Sequence, residues 1–133
     1  MTDLVLVTHA GVGEAIKQAA ESIYGPCCRV TVFDLRPDEA CDRMQRGLID
    51  HLRRACSAHP VLILTDLPGA TPHNTACAAA RTACPDAPEV TGLNLPMLLR
   101  ALNHSGAPAP ELAEIVVTGG LRSVFAGGPN VGH

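Results

Sequence analysis

Two runs of four apolar residues, LVLV at 4–7 and VLIL at 61–64, offer no polar face on either side. Strands of that kind are stable where both faces are covered, as at the centre of a parallel sheet flanked by helices. A turn and an amphipathic stretch follow the first run. Thr8, His9 and Ala10 lead into Gly11, Val12 and Gly13, and then Ile16, Ala19, Ala20 and Ile23 fall at i, i+3, i+4 and i+7. That spacing predicts a helix over residues 13–24, ended by Gly25-Pro26.

The pattern repeats along the chain. RVTVFDL at 29–35 reads as a second strand. Pro37 and Asp38 open a second helix, with Cys41, Met44, Leu48, Leu52 and Ala55 on one face. After the strand at 61–64, TDLPGATP at 65–72 is a loop, in which Thr71 is expected as N-cap and Pro72 as first residue of a third helix over 72–83. Ala76, Ala78, Ala79 and Ala80 allow that helix to approach the sheet or a second subunit closely. Residues 89–93 read as a weak fourth strand. Pro96 starts a helix with Leu98, Leu99 and Leu102 facing inward, and SGAP at 105–108 ends it.

Residues 110–120 carry two signals. IVVT at 115–118 favours a strand, whereas Leu112, Ile115, Val116 and Gly119 form a helical stripe, and we read a helix. Residues 121–126 are a candidate edge strand. The expected fold is α/β: a doubly wound, mostly parallel sheet of four strands plus that edge strand, with helices on both faces. One domain is expected over 1–126, with 127–133 as a loose C-terminal tail.

Composition excludes several functions. Ten basic and 13 acidic residues give a net charge of −3, with no footprint for nucleic acid or an anionic membrane. Tyr24, Phe33 and Phe125 are the whole aromatic complement, so base or sugar stacking is not expected. No apolar run is long enough to span a bilayer. The cysteines at 27, 28, 41, 56, 77 and 84 form no C-x-x-C pair, and the chain opens with a strand instead of a signal peptide. They are expected as reduced, mostly buried cytosolic thiols. No Cys/His spacing supports a metal, and no cofactor is expected.

The chemistry gathers at two points. His9 follows the first strand and Asp66 follows the third. If those strands are adjacent, both loops open on one sheet edge, where ligands bind in such folds. An aspartate there can accept from one imidazole nitrogen and leave the other free as a nucleophile. Gly11, Gly69, Ala70 and Thr71 would add helix N-terminal donors for an anion. Neither 8–13 nor 65–74 contains a lysine or arginine. Such a site suits a phosphoryl group carried on histidine. His73 is a competing nucleophile or an auxiliary donor. His51, His59, His104 and His133 read as surface residues.

Three segments, VTHAGVGEAI (7–16), LTDLPGATPHNTA (64–76) and VTGLNLPMLLRAL (90–102), carry a resemblance. The chain resembles, over residues 3–104, the IIA domain of the mannose family of the bacterial phosphoenolpyruvate-dependent sugar phosphotransferase system. The resemblance implies a homodimeric α/β domain in the cytoplasm. It would take phosphate from the phosphocarrier HPr, pass it to a separate IIB component, and reach the membrane only through a permease. The family's phosphorylated histidine falls on His9, its supporting aspartate on Asp66, and the hydroxyl that opens the third helix on Thr71. Leu67 stands where the family often has a hydroxyl, and His73 where it commonly has an apolar side chain. Two alternatives stay open: a regulatory protein of the same system without transport, and the phosphotransfer subunit of a dihydroxyacetone kinase, whose aspartate loop usually lacks the Pro-Gly-Ala-Thr-Pro-x-Asn pattern.

Overall fold

The apolar runs pair as expected. In the computed structural model, which describes residues 1–36 and 41–128, β1 (Asp3–His9) lies in parallel register with β3 (Val61–Thr65), Leu4 opposite Leu62 and Leu6 opposite Leu64. On its other side β1 pairs in parallel with β2 (Val30–Leu35), and β3 pairs with the two-residue β4 (Glu89–Val90), giving the order β2-β1-β3-β4. All ladders are parallel, so each strand is joined to the next through a helix.

The connecting helices are α1 (Val12–Tyr24), α2 (Cys41–Ala58) and α3 (Thr71–Ala83), followed by α4 (Leu95–Asn103) and α5 (Ala109–Arg122). Strand alternation sorts them. Leu4, Leu6, Leu62 and Leu64 point to the face covered by α1, α4 and α5, with Ala20, Leu98, Leu112 and Val116. Val5, Val7, Val61 and Ile63 point to the other face, against Leu48, Leu52, Ala76 and Ala79 of α2 and α3. The helix opening expected at Pro37 and Asp38, and the tail beyond residue 128, lie outside the described residues.

Two expectations are corrected. The fourth strand stops after Val90 because Gly92 takes a left-handed φ of 83° and turns the chain out of the ladder. Leu93 still donates its N–H to the Thr65 carbonyl at 3.0 Å. The stretch expected as an edge strand, 121–126, is not a strand: Leu121 and Arg122 complete α5, and Ser123 caps it. Tertiary packing overrides the β-branched propensity here. A Cβ on Gly119 would lie 2.5 Å from Arg100 Cγ and one on Gly120 2.5 Å from Met97 Cγ, so α5 sits against α4 as only these glycines permit. Of the two approaches expected of the α3 alanines, Ala76, Ala79 and Ala80 make the one to the sheet.

The expectation of reduced thiols throughout fails at one pair. Cys56, near the end of α2, and Cys84, directly after α3, form a disulfide, with Cα atoms 6.1 Å apart. Both helices run back to the sheet edge opposite His9 and pack side by side, so their ends meet there. A separation of 28 residues carries no sequence signal of this approach. Cys27, Cys28 and Cys77 are free. Cross-linking a loop of this length stabilises by about 2–4 kcal/mol. Adding reductant should therefore lower the melting temperature by roughly 10 °C, and Cys84→Ser measured in reductant should show no comparable further loss.

Candidate functional site

The strand order reverses at β1: the chain leaves it to one side for β2 and returns on the other for β3. The carboxyl ends of β1 and β3 therefore border the crevice where such sheets bind ligands. His9 is the last residue of β1, and Asp66 directly follows β3.

The two side chains meet. Asp66 Oδ2 accepts from the His9 backbone N–H at 3.0 Å and lies 2.8 Å from His9 Nδ1. An ionised carboxylate has no proton to give, so Nδ1 carries the hydrogen and Nε2 keeps its lone pair. The His9 side chain is 49% exposed and that of Asp66 11%. Asp66 Oδ1 is buried and has no hydrogen-bond partner among the described residues. A partly desolvated carboxylate thus sits behind an imidazole whose far nitrogen faces solvent.

The loop that carries His9 is held from the neighbouring strand. Asp34, opposite Thr8 in the β1–β2 ladder, accepts from the Thr8 hydroxyl at 2.8 Å and from the Gly11 N–H at 3.0 Å. The Thr8 oxygen in turn accepts the Gly13 N–H at 2.8 Å. These bonds engage two of the amides expected to stand open to an anion, those of Gly11 and Gly13. Gly11 serves through its backbone conformation, a left-handed φ of 86° at the N-cap of α1. Gly13 serves through its lack of a side chain: a Cβ there would lie 2.8 Å from Thr8 Oγ1 and 2.9 Å from Val32 Cγ1. The part played by Asp34 was not read from the sequence, where it is one acidic residue at the end of a strand; the parallel register alone brings it opposite Thr8.

The Asp66 loop is built differently from expectation. Ala70, not Thr71, is the N-cap of α3, because the Asn74 N–H donates to the Ala70 carbonyl at 3.0 Å. Asn74 Nδ2 also donates to the carbonyl of Gly69, which has a left-handed φ of 77°. The Ala70 amide is spent on the Leu67 carbonyl at 3.3 Å. Thr71 is then the first helical residue, exposed, with its hydroxyl in no capping bond. Gly69, Ala70 and Thr71 lie three to five residues past Asp66, in the loop leading to α3. Leu67 is 54% exposed at the rim of the site.

His73 turns to the interior. Its Nδ1 lies 3.0 Å from the Thr65 hydroxyl and its Nε2 3.6 Å from Cys77 Sγ. Cys77 donates to Glu89 Oε2 at 2.9 Å, and burial first, then the Glu89 carboxylate, pushes its thiol up to about 11. His51, read as a surface residue, is half-buried against Phe33 with ring centroids 5.5 Å apart, and burial lowers its pKa. No group of three or more metal-ligating side chains occurs among the described residues.

Comparison with known proteins is consistent across sequence and structure. The model of the family described as PTS system fructose IIA component matches residues 3–117. The chain is 32% identical over 111 residues to the sorbose-specific EIIA component of the PTS system from Lacticaseibacillus casei, covering 83% of this chain and 79% of that protein. Among solved structures it is similar to the mannose/sorbose-specific IIA subunit from Enterococcus faecalis, with a TM-score of 0.84, 27% identity and 98% of each chain covered. It shares its fold with the IIA protein associated with the fucose utilization operon of Streptococcus pneumoniae, with a TM-score of 0.81, 23% identity, and 94% of this chain and 92% of that one covered.

Two outcomes follow from the local geometry. Gly13→Ala should destabilise the protein by about 1–3 kcal/mol through overpacking, with NMR shift changes concentrated at Thr8, His9 and Asp34. In mildly alkaline buffer an alkylating agent should mark exposed Cys28 and spare Cys77 until the protein is unfolded, as peptide mapping will show.

Proposed function

The chain belongs to the mannose-type EIIA family, that of the PTS system fructose IIA component, and from this premise we propose that it is a histidine phosphocarrier. It accepts a phosphoryl group from phospho-HPr on His9 and passes it to a separate IIB component for sugar uptake. The observation that carries this reading is the Asp66 Oδ2 to His9 Nδ1 contact of 2.8 Å, which engages Nδ1 of a half-exposed ring and supports Nε2 as the nitrogen offered to phosphorus.

In the proposed step the Nε2 lone pair forms a bond to phosphorus while the donor's N–P bond breaks, and the donor ring keeps the electron pair. His9 gains positive character as the phosphoryl group arrives. Asp66 keeps the Nδ1 proton in place and stabilises that charge, and the reverse sequence releases the group to the next carrier. The first turn of α3, with Thr71 and the slim backbone at Gly69, supplies further donors for the phosphoryl oxygens. No lysine or arginine occurs in 8–13 or 65–74. A fixed cation there would hold phosphate too firmly for a carrier that must hand it on.

The proposed assembly is a homodimer. Support comes from Val117, Leu121, Val124 and Phe125, which are 42%, 70%, 71% and 59% exposed along the end of α5 and the residues after it. The proposed location is the cytoplasm, with membrane contact only through a permease. None of the described helices is long and apolar enough to cross a membrane.

Incubation with phosphoenolpyruvate, enzyme I and HPr should add one acid-labile phosphoryl group, mapped to His9 by mass spectrometry. Mapping to His73, or no uptake by the wild type, would overturn the reading. Asp66→Asn should fold normally and transfer about 10–100-fold more slowly; an unchanged rate would remove Asp66 from the mechanism. Light scattering at micromolar concentration should give twice the chain mass, and a monomer would refute the dimer.

A further inference from the structure

We propose that Asp34 is a positioning residue for His9: by gripping the chain on both sides of it, Asp34 determines which imidazole nitrogen faces solvent. This rests on the phosphocarrier reading for its consequence, though not for its geometry. Asp34 lies near the end of β2 and pairs with Thr8 in the ladder, one residue before His9. One carboxylate oxygen takes the Thr8 hydroxyl and the other takes the Gly11 N–H, at 2.8 and 3.0 Å. The residue before His9 and the second residue after it are thus tied to one side chain.

The ladder that pairs His9 with Leu35 and the Thr8 hydroxyl, 3.0 Å from the His9 carbonyl, hold the strand entering the site; the Asp34 carboxylate adds the tie on the outgoing side at Gly11. Asp66 holds the His9 N–H and one ring nitrogen, both through the single oxygen Oδ2. That contact selects a tautomer only if the imidazole approaches with its Nδ1 edge. The ring is half exposed, so its own packing does not impose the approach. The direction of the His9 Cα–Cβ bond must, and that direction belongs to the backbone from Thr8 to Gly11. The grip is stiff. Thr8 is fully buried, and Gly13 both donates to the Thr8 oxygen and leaves no room for a Cβ beside it. Gly11 is held at a left-handed φ, where its N–H points back to the β2 carboxylate.

Asparagine at this position would keep size and shape and replace one acceptor by a donor. Its amide can turn the oxygen to the Gly11 N–H and the NH2 to the Thr8 oxygen, whose hydroxyl then donates to the His9 carbonyl 3.0 Å away, so asparagine keeps both arms; alanine removes both acceptors. Freed at Gly11, the loop allows His9 to present either ring nitrogen to Asp66.

The test is Asp34→Ala, with Asp34→Asn as the conservative variant that can keep both arms and Thr8→Val as a variant that removes the hydroxyl arm together with the acceptor of the Gly13 N–H. Histidine 15N NMR of the unphosphorylated protein, with no partner present, should show His9 in the Nδ1–H form in the wild type and in Asp34→Asn, and averaged between both tautomers in Asp34→Ala. Thr8→Val should move the same way as Asp34→Ala by less. With enzyme I and HPr, Asp34→Ala should transfer about tenfold or more slowly, and a fraction of its phosphohistidine should carry phosphorus on Nδ1. An Asp34→Ala protein that melts earlier while keeping the wild-type tautomer and phosphorylating only at Nε2 would make Asp34 merely structural and overturn the proposal. If Asp34→Ala does not fold, the tautomer in Thr8→Val decides. Because the tautomer is read without phosphorylation, absence of phosphoryl uptake by the wild type overturns the phosphocarrier reading and leaves this reading standing on its own measurement.

Discussion

Burial of both faces of β1 and β3 is the constraint on which the rest depends. Leu4, Leu6, Leu62 and Leu64 seal one side, and Val5, Val7, Val61 and Ile63 the other. Each such side chain contributes roughly 1.5–3 kcal/mol when fully buried. A slip of one residue would exchange the two sets between faces. The register is therefore fixed by packing, and the register sets the site: with Val7 opposite Thr65, the next residues on the two strands are Thr8 and His9 beside Asp66. A contact of 2.8 Å between side chains 57 residues apart is thus a product of the core.

Two carboxylates border the candidate site, Asp66 against the imidazole and Asp34 against the start of α1. A carboxylate at a helix N-terminus is favourable by about 0.3–1 kcal/mol, because it faces the positive end of the helix dipole. Asp34 thereby engages the Gly11 amide, and the Thr8 oxygen that of Gly13. The Ala70 amide is likewise spent within its own loop. In the proposed function the phosphoryl group meets the His9 imidazole and the first turn of α3. That arrangement favours a covalent hold over a tight electrostatic one, in keeping with a group that must leave again.

The legible part of this structure was the part written in periodicity. The apolar runs gave the central strands, the i, i+3, i+4 spacing gave α1 and α5, and the two strand ends gave His9 and Asp66. What was not legible depends on approach between segments distant in sequence. Cys56 and Cys84 meet because two helices end at one edge. Asp34 meets Thr8 because the strands are parallel and in that register. The N-cap shifted from Thr71 to Ala70 because Asn74 reaches back to residues 69 and 70, a local bond that the favourable Thr-Pro pair concealed. The edge strand expected at 121–126 failed because Gly119 and Gly120 let α5 press onto α4, and the helix runs on through Arg122.

His9 and His73 show how the same side chain is directed to different ends by what each nitrogen touches. Cys77 donates its S–H to Glu89, and with the thiol pushed up to about 11 that proton stays in place through neutral pH. The sulfur is then left to accept, so His73 Nε2 carries the hydrogen toward it, and Nδ1 accepts from the Thr65 hydroxyl. Both nitrogens are engaged within a chain of bonds running Thr65, His73, Cys77, Glu89, and neither retains a free lone pair directed at solvent. The same chain joins the last residue of β3 to the first turn of α3, bracketing the loop that begins with Asp66. His9 has one nitrogen bound and one open. The difference is set by the partners, a single carboxylate oxygen in one case and a hydroxyl and a thiol in the other, and it makes His73 part of the frame around the site while His9 is the one proposed as nucleophile.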